Sequence, residues 1–210
     1  MSQPRLPLEP GQAYHVWTHV NGSENLFRSS ENYRYFLEKY SLYVHPVAET
    51  FAYCLMPNHL HLMIRVRGEE EILEVLGKKK KDQDLTGFQN LSGLVSLQFS
   101  HLFNAYSKAY NKLYKRRGAL FERAFHRKHI NSEAYFTRLI TYIHNNPVYH
   151  GFVKNTHDWP HSSWHSYVLD KVTKINKAEA IEWFGSKEAF EALHQEFIQE
   201  KLISLFEDEF

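Results

Sequence analysis

A strand-turn-strand pattern between residues 47 and 66 limits the folds that this sequence can adopt. Residues 47–56 (VAETFAYCLM) and 60–66 (LHLMIRV) are typical of β-strands, and Pro57-Asn58 between them is typical of a tight turn. The pattern therefore predicts an antiparallel hairpin. His59 and His61 stand at the start of its second strand.

The remaining patterns predict further strands and helices around this hairpin. Apolar residues at period two predict strands, whereas apolar residues at three- and four-residue steps predict helices. By these criteria the sequence predicts a strand at 13–21, a helix capped by Ser30, a long amphipathic helix at 91–114 ended by Gly118, a strand at 119–130, and a helix at 133–146 capped by Ser132 and ended by Pro147. This order favours an α+β fold in which helices pack on one face of an antiparallel sheet.

Length and composition bound the class of protein. The 210 residues, 43% hydrophobic and 23% charged, suit one globular domain with an extension. We place the domain at residues 12–170 and an acidic helical extension at residues 171–210. The single cysteine, Cys54, excludes an internal disulfide, and no stretch approaches the roughly 18 apolar residues of a membrane span. We therefore expect a cytoplasmic protein without a membrane partner.

The net charge of +1 hides a separation of charge along the chain. Between residues 100 and 130, Glu122 is the one acid among the basic residues Lys108, Lys112, Lys115, Arg116, Arg117, Arg123, Arg127 and Lys128. From residue 179 onward, acidic residues predominate. A basic segment beside an acidic extension favours a polyanion partner for the basic segment, although two solvated faces would give the same pattern.

His59-Leu60-His61 is the first candidate site. Residues two apart on a strand point to the same face, so both imidazoles would project together while Leu60 points into the core. Two imidazoles make half of a metal site. The alternative is that both are structural histidines, in a chain that contains 14 of them.

A second candidate lies on the predicted helix at 133–146. Tyr142 and Asn146 are four residues apart and share a face, which Arg138 joins one turn earlier. A phenol has an unperturbed pKa of about 10, so a nearby cation, such as Arg138 or a metal, would favour the nucleophilic phenolate. The alternative is a tyrosine with its hydroxyl in water and an asparagine that caps the helix.

Several segments together resemble one protein family. The run LMPNHLHLMI resembles the His-hydrophobic-His (HUH) motif of the single-tyrosine transposases of small bacterial insertion sequences. ITYIHNNPVYHGFV and DWPHSSWHSY resemble the catalytic-helix segment of the REP-associated (RAYT) branch, and AYHVWTHV and RRGALFERAF are also similar to that family. The resemblance covers roughly Tyr14 to Tyr167, and these segments in the right order are more specific than any one of them.

The resemblance implies a ferredoxin-like α+β fold and a metal-dependent DNA strand transferase in the domain at 12–170. His59 and His61 would be metal ligands, Asn146 a third ligand where many members have glutamine, and Tyr142 the nucleophile. A divalent ion, Mg²⁺ or Mn²⁺, would polarise the scissile phosphate, and cleavage would leave a 5′-phosphotyrosine and a free 3′-hydroxyl. The implied partner is single-stranded or hairpin DNA, handled by a homodimer.

We assign recognition of DNA to basic residues of the domain. We expect phosphate contacts from Lys115, Arg116, Arg117, Arg123, Lys128 and Arg138. Trp159 and Trp164 either stack on unpaired bases or fill a satellite core. Two other functions share these features: an HUH nickase of replication or plasmid transfer, and a catalytically silent protein that binds structured DNA.

Overall fold

The structure is a computed structural model that describes residues 6–79, 91–122, 125–169 and 171–200. The strands of this part are β1 (Ala13–His19), β2 (Ala48–Leu55), β3 (His59–Val66) and β4 (His126–Ile130). The helices are α1 (Ser30–Tyr43), α2 (Glu69–Lys79), α3 (Leu91–Leu113), α4 (Glu133–Tyr149), α5 (Trp164–Val168), α6 (Lys177–Phe184) and α7 (Lys187–Glu200), with a 3₁₀ turn at Thr156–Asp158. No helix among these residues is long and apolar enough to cross a membrane.

The strands form one antiparallel sheet in the order β2-β3-β1-β4. β1 and β3 are neighbours at its centre, although α1 and β2 separate them in the chain. Together with the chain order β1-α1-β2-β3-α3-β4, in which helix α2 is inserted between β3 and α3, this is the ferredoxin-like arrangement. The predicted α+β class is confirmed.

The hairpin predicted around Pro57-Asn58 is present. The Met56 N–H donates to the carbonyl of His59 over 2.8 Å, which closes the turn between β2 and β3. Along β3, His59 pairs with His19 of β1. All of β3 except Arg65 is buried, so both faces of this strand are covered.

Helices α1 and α3 cover one face of the sheet. Their buried residues include Phe36 and Tyr40 of α1 and Phe99 and Tyr106 of α3, which share a core with Tyr14 and Val16 of β1 and Leu60, Leu62 and Ile64 of β3. The strand residues of this core alternate along the chain, as the period of two requires. The hydroxyl of Tyr106 donates to the carbonyl of Leu26 over 2.6 Å, so this buried phenol is satisfied.

Helix α4 and the C-terminal helices cover the opposite face. This second core contains Phe51 and Met63 of the sheet, Leu139, Ile140 and Ile143 of α4, and Tyr167, Ala180 and Phe190 of α5, α6 and α7. The structure therefore adds a second helical layer to the predicted packing on one face. Residues from the described part of the segment 171–210 belong to this layer.

The end of α4 differs from the sequence prediction. The helix does not end before Pro147 but continues to Tyr149. Proline removes one backbone donor, but the turn that follows it still closes, because the His150 N–H donates to the carbonyl of Asn146 over 3.0 Å. Asn146 consequently lies inside the helix and not at its cap.

Other predicted boundaries also need correction. Helix α3 ends at Leu113, one residue before the predicted end at 114, and the residue that ends it is Lys115 rather than Gly118: Lys115 adopts a left-handed φ of 53° and the Arg116 N–H donates to the carbonyl of Asn111 over 2.9 Å. Helix α1 begins at Ser30 itself, with Ser29 as its N-cap. Of the strand predicted at 119–130, β4 occupies 126–130, and residues 123–124 lie outside the described residues.

Candidate active site

His59 and His61 project from β3 to the face of the sheet that α4 covers. Leu60 between them belongs to the opposite core, beneath α1 and α3. Both imidazoles are buried, with exposures of 2% and 1%. Their ring centroids lie 5.1 Å apart and their planes are nearly perpendicular, at 84°. The strand therefore presents two imidazoles to one space.

Helix α4 brings Tyr142 and Asn146 to the same space. The Oδ1 atom of Asn146 lies 2.9 Å from Nε2 of His59, and the ring of Tyr142 lies 5.5 Å from the ring of His61. Tyr142 and Asn146 are one helical turn apart, so both face the sheet. We call the buried group of His59, His61, Tyr142 and Asn146 the His-Tyr cluster.

Each imidazole of the cluster is held through its Nδ1 atom. Asn58 Oδ1 lies 2.9 Å from Nδ1 of His59, and His15 Nε2 lies 3.0 Å from Nδ1 of His61. With Nδ1 as the donor in both contacts, each Nε2 keeps a lone pair that can bind a metal. The Nε2 atom of His61 is buried and has no hydrogen-bond partner among the described residues.

Burial keeps both imidazoles neutral. It lowers the pKa of His59 to about 4, and the contact with Asn146 offsets only part of this effect. Burial, together with the neighbouring imidazoles of His15 and His59, lowers the pKa of His61 well below its ordinary value. The neutral imidazole is the form that binds metals, so the cluster holds both histidines ready for ligation near neutral pH.

The two contacts of His59 cannot both be hydrogen bonds of a neutral imidazole. A neutral ring has one N–H, and both contacts are to amide oxygens, those of Asn58 and Asn146. A cation shared by Nε2 of His59 and Oδ1 of Asn146 would relieve the repulsion between their lone pairs. Rotation of the Asn146 amide would also relieve it, because its Nδ2 has no hydrogen-bond partner in the described part of the chain.

The donor set fits a divalent cation. The 2.9 Å between Nε2 of His59 and Oδ1 of Asn146 matches neighbouring ligands at right angles, each about 2.1 Å from one ion. Within the described ranges, no group of three or more His, Cys, Asp or Glu side chains could hold a metal. A third protein ligand here would therefore be an oxygen of another kind, such as the Asn146 amide. Two imidazoles and an oxygen accept Mg²⁺, Mn²⁺ or Zn²⁺.

Sequence reasoning missed three residues around the cluster. His15 and Asn58 contact the Nδ1 atoms, and the ring of His150 lies 4.9 Å from that of His59. His15 belongs to β1 and shares a face with Trp17 and His19. The sequence alone could therefore predict which face of the strand His15 occupies. It could not predict the pairing of β1 with β3, which brings His15 to His61.

The structure separates the basic residues predicted to contact DNA. The exposed ones are Lys115, Arg117, Lys128 and Arg138. Arg116 is engaged within the protein: its Nε donates to Glu24 over 2.8 Å and its Nη2 to the carbonyl of Ala119 over 3.0 Å. Arg116 therefore stabilises the loop after α3. Arg123 lies outside the described residues.

No protein-family model matches the chain. A Haemophilus influenzae protein assigned to the REP-associated tyrosine transposases is 26% identical over 126 residues, which is 59% of this chain and 63% of that protein. A solved structure of a REP-associated tyrosine transposase bound to a REP hairpin aligns with a TM-score of 0.58 and 19% identity, over 80% of this chain and 86% of that chain. The chain resembles the REP-associated tyrosine transposases.

The two matches to REP-associated tyrosine transposases carry different information. At 19% identity the solved structure establishes the shared fold. The sequence match spans less than two thirds of the Haemophilus influenzae protein. A solved bacterial tRNA(His) guanylyltransferase-like protein in complex with ATP aligns with a TM-score of 0.37 and 12% identity over 74% of this chain and 68% of that chain, too low to support a shared fold.

Proposed function

We propose that this protein binds single-stranded or hairpin DNA and cleaves and rejoins one strand through a phosphotyrosine at Tyr142. The observation that carries the proposal is the convergence of His59, His61, Tyr142 and Asn146 in one buried cluster, from a strand and a helix about 80 residues apart. The resemblance to the REP-associated tyrosine transposases, one of which is solved with a REP hairpin, supports DNA as the substrate.

In this mechanism the chain supplies the nucleophile and the ligands. The hydroxyl of Tyr142 gives up its proton as its oxygen attacks phosphorus, the bond from phosphorus to the 3′ oxygen breaks, and the 3′ oxygen takes up a proton to leave a free hydroxyl, so the step consumes no net proton. His59, His61 and Asn146 would hold Mg²⁺ or Mn²⁺, which when bound stabilises the charge on the phosphate and on the departing oxygen. Attack by another 3′-hydroxyl on the phosphotyrosine reverses the step and joins a new strand.

The burial of the His-Tyr cluster limits access to the nucleophile. Tyr142 is 1% exposed, and the ring of His150 lies 4.9 Å from that of His59. A phosphodiester therefore reaches the tyrosine hydroxyl only after the side chains around the cluster move. The same burial is the observation that favours the second candidate function, a protein that binds structured DNA without cutting it.

The cluster is assembled within one chain. Tyr142 contacts His61 of its own chain, at 5.5 Å between ring centroids. Cleavage in our proposal therefore needs one protomer, whereas a homodimer is expected where two strand ends are handled together. Light scattering of the DNA complex tests this expectation, and a complex with one protomer throughout strand joining would contradict it.

Replacement of Tyr142 by phenylalanine tests the proposed chemistry. With Mg²⁺ or Mn²⁺ present, we expect the unmodified protein to form a covalent adduct with a hairpin-bearing single strand, visible as a band of lower mobility in denaturing gels. Tyr142→Phe removes only the hydroxyl, so adduct formation should fall below detection while hairpin affinity stays within a factor of about 3, less than one hydrogen bond contributes.

Tyr149→Phe is the matched control for this experiment. The ring of Tyr149 lies 6.2 Å from that of Tyr142, near the end of the same helix, so this variant removes a neighbouring hydroxyl. It should keep adduct formation. Adduct formation by Tyr142→Phe would overturn the assignment of the nucleophile. Tight hairpin binding by the unmodified protein without any adduct would instead establish the silent DNA-binding function.

A further inference from the structure

Phe152 is an exposed aromatic residue two positions after His150, whose ring contacts that of His59. Its side chain is 48% exposed, and every other phenylalanine whose burial the structure describes is buried or half-buried. Exposure of one apolar residue is common in proteins. The neighbours of Phe152 distinguish it from a chance exposure.

Phe152 packs against an anchored tryptophan. Its ring lies 5.7 Å from the ring of Trp159, tilted by 57°. The indole N–H of Trp159 donates to the carbonyl of Leu55 over 3.2 Å, and His161 contacts the same indole edge-on at 5.7 Å. The backbone N–H of Phe152 donates to the carbonyl of Pro147 over 2.9 Å. Both rings are therefore held in place by the body of the protein.

This aromatic pair lies at the end of the sheet that carries His59. Leu55, to which Trp159 is bonded, is the last residue of β2, and His59 is the first residue of β3 across the hairpin turn. His150, two residues before Phe152, lies over His59 with 4.9 Å between ring centroids. A strand whose phosphate reached Tyr142 would approach this end of the sheet, to which Trp159 is bonded, and the end of α4, to which Phe152 is bonded.

We propose that Phe152 and Trp159 form a stacking platform for unpaired nucleobases of the DNA strand next to the scissile phosphate. The platform rests on the proposed function, because it needs a single strand at the cluster. Bases stack on aromatic rings without strong dependence on sequence, which suits rings that offer a face and few hydrogen-bonding groups. Lys154, two residues beyond Phe152, is exposed, and we assign it a contact with the phosphate backbone of such a strand.

Abasic DNA distinguishes stacking from other roles of these rings. The probes are a hairpin with a mixed-sequence single-stranded tail and the same hairpin with an abasic tail, which keeps the phosphates and lacks the bases. Fluorescence anisotropy gives the Kd of each probe. Phe152→Ala should weaken binding of the base-bearing tail about 5- to 100-fold and leave binding of the abasic tail within about 2-fold. Phe152→Leu, which keeps apolar area without an aromatic face, should also weaken binding of the base-bearing tail.

Leu42→Ala is the matched control. Leu42 is 50% exposed on α1, which packs on the opposite face of the sheet, so both Kd values should stay unchanged. Equal losses on both probes, or no loss on either, would overturn the platform. If the unmodified protein binds neither probe, the proposed function itself fails, which is a different result from any change in the variants.

Discussion

The two candidate ligand histidines differ in what holds them in place. His59 contacts Asn58, its neighbour in the chain, whereas His61 contacts His15 from a different strand. His15 is fully buried, and its ring lies edge to edge with that of His61, with 5.2 Å between centroids and 24° between the planes. A metal-bound imidazole needs its second nitrogen fixed in orientation and tautomer. We therefore expect His15 to act as a positioning residue for the metal.

The first prediction concerns this contact. His15→Phe keeps a ring of similar size but removes the partner of the Nδ1 atom of His61. We expect the affinity for Mn²⁺, measured by electron paramagnetic resonance of the free ion in titrations without DNA, to fall about 10- to 100-fold. His15→Gln, which keeps a polar partner, should recover part of the loss.

His129→Phe is the control for this titration. His129 lies on β4 of the same sheet, is exposed, and contacts Gln12 instead of the cluster. This variant should bind Mn²⁺ as the unmodified protein does. An unchanged Mn²⁺ affinity in His15→Phe, with the fold intact by circular dichroism, would show that His15 only fills space.

At the scale of elements, α4 is held from two sides. One side carries Tyr142 and Asn146 toward the sheet, and the other carries His144 toward α7. The Nδ1 atom of His144 lies 2.9 Å from Nε2 of His194, and Nδ1 of His194 donates to the carbonyl of Phe190 over 2.7 Å. Because a neutral His194 ring that donates from Nδ1 accepts at Nε2, Nδ1 of His144 is the donor in the contact between the two rings. The position of the candidate nucleophile therefore depends on α7.

An ion pair also ties the extension to the sheet. Arg65 of β3 donates from Nη1 to Oε1 of Glu179 on α6 over 2.6 Å, and from Nε to Glu49 of β2 over 2.8 Å. The guanidinium holds the pKa of Glu179 below its usual range. The side chains of Arg65 and Glu179 are 31% exposed and that of Glu49 is 25% exposed, so we assign this contact to the placement of α6 more than to overall stability.

The contact between α4 and α7 predicts sensitivity to acid. Burial lowers the pKa of His194 from 6.5 to about 4. As the pH falls below 6.5, the unfolded chain takes up a proton at His194 and the folded chain does not. The free energy of unfolding therefore decreases as the pH falls from 6.5 to about 4, where the folded chain also takes up the proton. This group alone should cost about 3 kcal/mol of unfolding free energy across that window.

Urea unfolding at a series of pH values measures the effect. His194→Gln removes the titrating group, so its unfolding free energy should depend less on pH than that of the unmodified protein. His157→Gln, at a side chain that is 60% exposed, should leave the pH dependence unchanged. The same pH dependence in His194→Gln and in the unmodified protein would show that other groups govern acid unfolding.

Across the whole molecule, the basic residues that lie together in the sequence divide into two sets. Some form contacts within the protein, and others are exposed. Arg116 bonds to Glu24 and to the carbonyl of Ala119, whereas Arg117 beside it is exposed. A free cation can release counterions from DNA, but a cation already paired in the protein contributes less. We therefore expect neighbouring arginines to respond differently to substitution.

Binding of a hairpin at different salt concentrations tests this division. Arg117→Ala should lower the slope of log affinity against log salt by about 1 between roughly 50 and 200 mM salt. Arg116→Ala should instead lower the melting temperature, because it releases the loop after α3, with a smaller change in slope. Affinity of the unmodified protein that does not vary with salt would contradict phosphate contacts altogether.

The strand, the turn and the helix that carry the candidate residues follow from local patterns in the sequence. The alternation of a strand puts His59 and His61 on one face of that strand, and the spacing of a helix puts Tyr142 and Asn146 on one face of that helix. Each pattern follows from the period of the backbone. The Pro57-Asn58 turn likewise joined neighbouring strands. These features need no knowledge of distant residues, so the α+β class and the candidate residues could be predicted.

Which of these elements contact one another follows only from the tertiary structure. The pairing of β1 with β3 brings His15 to His61, and the packing of α4 on the sheet brings Asn146 to His59. The return of α7 onto α4 buries His194. Such contacts join residues far apart in the chain, and their choice depends on how whole apolar faces pack, which no local period encodes.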